Sequence, residues 1–424
     1  MASLPVCLRS IGHVTLVGIA LLGGLNLAGC KSTATTQNPG SVKAIEYPRL
    51  NPDTTLSYAT EDVPVSYIEP VPSSAGRSDS YFETGQSGTK GKKNPFLMPG
   101  EKQLAQTQPL TQGGLSGNPS FTPEGLGVVF GTYWAKAGAA EGCKTSSIVA
   151  LDGSYGQTND YLPLRTPLSW SAPSAVLPDG RILIEGPEDP AASCPELKWQ
   201  PDRWPLPPDQ ELYTLRPNTD SLLPLIQSEG FDGMAAVSPD GRYLVFASAR
   251  TGDLDLYRLD LQTGESRRLT DKPGFDGQPC FTPDGKQIVW VVERPSGNRL
   301  GQYQQELEQG IYTPTETQIY VMNIDGGAQR RVLNLPGVNC QPTVHPLSQQ
   351  IIFASNHHLL NLGGKIFNLF SMSPTGTQLR QITYGDQFDG APNFAPDGSR
   401  MVFVSRRGNV PMGDYNLFIT NWVE

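Results

Sequence analysis

Three observations in this 424-residue sequence predict an all-β ring of six four-stranded antiparallel units. The first is a tight-turn signature. It recurs at Thr122-Pro123-Glu124-Gly125, Leu177-Pro178-Asp179-Gly180, Ser238-Pro239-Asp240-Gly241, Thr282-Pro283-Asp284-Gly285 and Ala395-Pro396-Asp397-Gly398, with a degenerate sixth copy at His345-Pro346-Leu347-Ser348. Pro presets the first turn position and Gly supplies the left-handed one. The second is a strand-like segment after each turn: SIVALD (147–152), ELYTLR (211–216), DLYRLD (255–260), QIYVMN (318–323), NLFSMS (368–373) and NLFITN (416–421). The third is the opening Phe231-Asp232-Gly233, Phe275-Asp276-Gly277 and Phe388-Asp389-Gly390, each at one constant distance from the turn Asp that follows. Six copies in one register make a six-bladed β-propeller, because a lone four-stranded sheet cannot bury both of its faces.

The unit at 231–270 shows the elements in order. Met234–Ser238 is the first strand and runs into the Pro239-Asp240-Gly241 turn. Tyr243–Ala247 is continuously apolar, as in a strand covered on both faces. Asp255–Asp260 is the third strand, and Arg267–Thr270, after a turn through Thr263-Gly264, is the fourth.

These repeats resemble the TolB-type propeller family, whose units read D…P…S-P-D-G…I-Y…D…G…R-L-T, over roughly residues 104–424. The resemblance implies the architecture. It leaves the task open, since propellers host binding proteins, lyases and hydrolases.

Ahead of the ring, residues 1–29 have the layout of an export signal. Arg9 is the charged region, Val14–Leu25 the apolar core, and Leu27-Ala28-Gly29-Cys30 resembles a lipobox. The apolar core is too short to span a bilayer. By that resemblance Cys30 becomes a diacylated N-terminus, and two acyl chains give stable attachment. Lys31 in place of Asp favours the outer membrane, facing the periplasm. Residues 30–103, rich in Ser, Thr, Pro, Gly and Lys, read as a flexible tether spanning roughly 45 Å on average. Within it, only Tyr58–Tyr67 has the β-formers for a strand.

The ring of residues 104–424 is expected to close on itself. The sixth unit ends at Asn416–Glu424 without a fourth strand, while Gln106–Thr111 ahead of the first turn has the fourth-strand pattern. An N-terminal strand therefore completes the last blade and removes an open edge. Pro109 is tolerated there, because fourth strands lie outermost. With 45 Gly and 38 Pro, the composition suits a turn-rich all-β protein, expected to be a monomer, and at a net charge of −9 no basic stripe points to nucleic acid.

Blade lengths are uneven. The step from Pro239 to Pro283 is the shortest, so the other blades carry insertions, nearly all between second and third strands. The longest are Gly186–Gln210 and Arg294–Thr317, on either side of blade three. These loops share one mouth of the ring with the Phe-Asp-Gly segments, and loops on a rigid scaffold carry function. The expected form is a notched rim, low at Ala249–Asp253, with Trp199 and Trp204 on one wall and Tyr303 and Tyr312 on the other. Such a notch suits an extended protein segment or glycan of the cell envelope.

Asp232, Asp276, Asn339 and Asp389 are expected near the channel mouth, where oxygen donors could hold Ca²⁺. Recurrence in every copy favours a role in holding blades together. Arg250 and Arg407, after the second strands, suit pairing with neighbouring carboxylates. His345, His357 and His358 do not readily supply a three-histidine metal cluster, so a metal-dependent polysaccharide lyase or hydrolase is the alternative to a non-catalytic binder. Cys143 and Cys194, in the insertions of adjacent blades, are expected to form a disulfide worth about 4 kcal/mol, whereas Cys280 and Cys340 stay free.

Overall fold

In each repeat the Pro-containing turn joins the first two strands of an antiparallel sheet. The computed structural model describes residues 94–111, 115–134, 143–151, 162–189, 203–217, 221–408 and 415–424. Six four-stranded sheets result. Blade three comprises Asp232–Val237, Tyr243–Ser248, Asp255–Asp260 and Ser266–Arg268, within two residues of the expected bounds. The first strands of the remaining blades are Leu115–Phe121, Ala172–Val176, Phe275–Phe281, Asn339–Val344 and Asp389–Phe394. They neighbour one another around the ring, blade six meeting blade one.

The turns repeat one device. Gly241 has φ +71°, and the Ser238 hydroxyl accepts the Tyr243 N–H at 2.8 Å. Blade five has neither Asp nor Gly in its turn, and the buried His345 ring substitutes. Its Nδ1 accepts the Ser348 N–H at 3.0 Å, which leaves Nε2 to donate to the Gly398 carbonyl at 3.2 Å in the turn of blade six. This histidine ties two turns together.

Second strands form the hydrophobic layers between blades. Phe130, Ile184, Phe246, Trp290, Phe353 and Phe403 occupy one equivalent position in the six copies and are all fully buried. Innermost strands are bulged at their midpoints. In five of them the bulge residue is not glycine yet has positive φ: Asn118 (+50°), Met234 (+52°), Gln278 (+49°), Gln341 (+53°) and Ala391 (+46°). Some of these residues clasp the next blade: Gln278 Oε1 accepts the Gln341 N–H, and Gln341 Oε1 the Ala391 N–H, both at 2.8 Å.

Leu104–Pro109 lies antiparallel to Asn416–Trp422 as the fourth strand of blade six, with Leu104 opposite Trp422 and Pro109 opposite Phe418. The ring is closed by its N-terminal strand. The propeller takes in residues ahead of that strand, however. Phe96 packs on Phe418 at 5.7 Å between ring centres, and the Arg407 guanidinium donates to the Phe96 carbonyl at 2.9 Å. Arg407 also bridges Glu101 (3.0 Å) and Asp389 (2.9 Å). Residues 94–103 thus belong to the propeller and not to the tether expected over 30–103. The rest of that tether, with Tyr58–Tyr67, and residues 1–29 lie outside the described residues.

Candidate functional site: the mouth over blade three

The recurring aspartates are buried and paired within their own blades. Arg250 Nη2 donates to Asp232 at 3.0 Å, Arg294 Nη2 to Asp276 at 2.8 Å, and Arg407 Nη2 to Asp389 at 2.9 Å. Each Arg follows the second strand of the blade whose first strand carries the Asp. Asn339, which has no such Arg, accepts from Ser355 at 2.7 Å and donates to the Thr317 carbonyl at 2.7 Å. These four residues fasten first strands to second strands and loops. Among the described residues there is no group of three or more His, Cys, Asp or Glu able to hold a metal ion.

Two acidic clusters adjoin blade three. Burial, then Asp232, pushes the Glu211 carboxyl up to about 9, and its oxygens accept the Ser228 N–H. On the other side stand Asp253, Asp255 and Asp276. Burial pushes Asp255 up to about 6 despite Arg268, with Asp253 and Asp276 adding repulsion.

The expected notch is roofed. Trp204–Pro205 from the blade-two insertion pairs antiparallel with Ile311–Tyr312 from the blade-four insertion, Trp204 opposite Tyr312. An unexpected helix, Asn298–Glu308, lies in the same insertion. Instead of lining an open rim, Trp204, Tyr303 and Tyr312 are 7%, 1% and 0% exposed. Tyr312 stacks on Phe275 with ring centres 4.1 Å apart, and Trp204 and Tyr303 meet it edge-on. The two tyrosine hydroxyls are satisfied: Tyr303 donates to Asp253 at 2.8 Å, and Tyr312 to Glu293. The expectation of four aromatic contact residues is therefore corrected for these three, whose rings form the core of the roof. Trp199 lies outside the described residues, as does Cys194; nothing is described of the Cys143 side chain, so their disulfide stays an expectation. Cys280 and Cys340 are free thiols, and burial pushes Cys280 up to about 12.

Beneath the roof the notch survives as a cleft of about 470 Å³. Its floor is Phe231, Ala249 and Gly252 of blade three, and its walls include Pro208 from the roof and Gln304 and Leu307 from the helix. The place was legible in the loop lengths, but the lining side chains were not. The helix could have been found, since Leu300, Tyr303 and Leu307 repeat at helical spacing between Gly297 and Gly310. His357 and His358 sit on a short 3₁₀ turn in blade five. Ser355 Oγ lies 2.8 Å from His357 Nδ1, and Asn368 Nδ2 lies 2.9 Å from His358 Nε2. Burial holds both imidazoles below their usual range.

A closed ring of six four-stranded blades, with Asp–Arg fastenings and one loop-built mouth, defines a six-bladed β-propeller. Residues 210–313, which span blade three and the helix side of the cleft, match the TolB beta propeller domain family. A structure described as TolB from Agrobacterium tumefaciens is 17% identical with a TM-score of 0.47, over 73% of this chain and 91% of that one. TolB from Acinetobacter baumannii is 20% identical with a TM-score of 0.48, over 66% of this chain and 57% of that one. An oligogalacturonate lyase in complex with manganese is 15% identical with a TM-score of 0.42, over 72% and 88%. Among the described residues no helix is long and apolar enough to cross a membrane.

Proposed function

We propose that this chain is an exported cell-envelope lipoprotein, anchored through Cys30, whose propeller captures a protein partner without transforming it. The cleft over blade three carries the reading. Phe231, Ala249, Pro208 and Leu307 give it an apolar lining, with Gln304 and Glu308 as polar groups at the helix. A concave recess that sets apolar side chains beside a few polar groups is what a partner side chain fills. The match to the TolB propeller family, over residues 210–313, takes in Phe231, Ala249, Gln304 and Leu307 of its lining. Catalysis by a lyase or hydrolase would require converging acid–base groups, whereas His357 and His358 are committed to Ser355 and Asn368.

Pro208 and Gln304 are exposed, so Pro208→Asp with Gln304→Arg places charge in the cleft while sparing the core. Capture of the partner by the full chain should fall at least tenfold, about 1.4 kcal/mol, at an unchanged melting temperature. Undiminished capture would refute the cleft as the site. Turnover of oligogalacturonate that disappears with His357→Ala and His358→Ala would establish the enzyme reading in its place. Anchoring has its own assay: Cys30→Ser should release the chain from the membrane fraction and abolish incorporation of labelled fatty acid.

A further inference from the structure

A second cleft, of about 400 Å³, opens beside the same helix. Gln302, Gln305 and Gln309 line it from the helix side, and Arg203, Ile311 and Thr313 from the roof strands and their flanks. Residues three and four apart share a helix face, so the three carboxamides form a row about 10 Å long. The row is partly preorganised. Gln302 Nε2 donates to Glu306 at 2.8 Å, while Glu306 also accepts from Arg299 at 3.1 Å and from the Thr313 N–H at 3.2 Å. Among the described residues, the side chains of Gln305, Gln309 and Arg203 have no hydrogen-bond partner.

A primary carboxamide offers N–H donors and a carbonyl acceptor, the complement of a peptide unit. A row about 10 Å long matches three residues of extended chain at roughly 3.3 Å each. Among the described residues no aromatic ring lines the cleft to stack on a sugar face, and a single guanidinium beside Glu306 is a poor anion cluster. We propose that this cleft binds an extended peptide segment by its main chain, Gln305 and Gln309 pairing with peptide N–H and C=O groups and Arg203 taking an acidic side chain. Recognition of this kind tolerates sequence variation at most positions and rewards one carboxylate. The inference rests on reading this mouth as a protein-capturing surface, and it adds a site distinct from the apolar cleft.

The test is fluorescence anisotropy on the full chain with a labelled, end-capped octapeptide of Ser and Thr containing one central Asp. Its twin with N-methylated peptide bonds is the control. Binding should weaken at least tenfold for Gln305→Ala with Gln309→Ala, and equally for the N-methylated twin, while Pro208→Asp with Gln304→Arg leaves it unchanged. Melting temperatures report that the exposed substitutions keep the fold. Peptide binding indifferent to the glutamine pair but lost with the Pro208 and Gln304 changes would overturn this site and leave the proposed function standing. No peptide binding, with an N-acetylglucosamine oligomer bound instead, would overturn both. Absence of binding to either probe would overturn the glutamine cleft alone.

Discussion

Ala391 sits at φ +46° in the innermost strand of blade six, a conformation that costs an L-residue roughly 1–2 kcal/mol. Ala391→Gly should raise stability by about 0.5–1 kcal/mol once glycine's greater freedom in the unfolded chain is set against the relief. Gln341→Gly relieves similar strain but removes the carbonyl that accepts the Ala391 N–H at 2.8 Å, so it should lower stability. Urea unfolding of the two variants checks this, and a shift of the same sign in both would contradict it. Glu211 supplies a pH-dependent counterpart. Burial pushes its carboxyl up to about 9 from the 4.5 of an exposed glutamate, so the folded chain keeps a proton that the unfolded chain releases. Below about pH 4.5 the group costs nothing. As pH rises toward 9, stability falls, because the unfolded state binds fewer protons. Glu211→Gln should therefore match the parent protein near pH 4.5 and become progressively more stable than it up to pH 9. A constant difference across the range would show that Glu211 titrates normally. Residue types and spacing pointed to carboxylate partners for Arg250 and Arg407, but did not single out Asp232 and Asp389 of the same blades. They could not reveal the Glu211–Asp232 neighbourhood, which depends on two blades meeting.

Closure depends on one strand and the segment before it. Deleting 104–111 exposes the edge of Asn416–Trp422 and should lower stability by several kcal/mol; a deletion protein melting at the parent temperature would refute closure. Glu101→Ala leaves the buried Arg407 with Asp389 alone among its carboxylates. It should cost about 3 kcal/mol, the scale of breaking a buried pair, readable by urea unfolding. The closing strand was visible in the sequence because its pattern repeats elsewhere. The latch at 94–103 was not, since Phe96 and Glu101 find partners some three hundred residues away and repeat no motif. The roof was hidden for the same reason. Sequence shows aromatic residues in two long loops, but whether they face solvent or each other is decided when Trp204 and Tyr312 pair. Tyr303→Phe removes the bond to Asp253 and should cost about 1 kcal/mol. It should speed amide exchange in Asn298–Glu308 before any change in global melting, and unchanged exchange there would disconnect the helix from blade three.

Taken together, the ring is a rigid frame and the blade-three mouth is where its repeats differ most. The four-stranded units, their order and the closing strand followed from periodic turn chemistry, which six copies reinforce. The mouth followed only from the unequal loop lengths, because its lining is built by residues that break the repeat. A protein partner is proposed to seat there, against Pro208, Gln304 and Leu307. Site-specific photo-crosslinking in intact cells tests this most directly, with the probe at Gln304 on the mouth and, for comparison, at Asp240 and Asp284 in the exposed turns of the opposite face. One discrete cross-linked polypeptide is expected from position 304 and none from 240 or 284. Cross-links arising at 240 or 284, with position 304 silent, would place the working surface on the opposite face and refute a partner seated at this mouth.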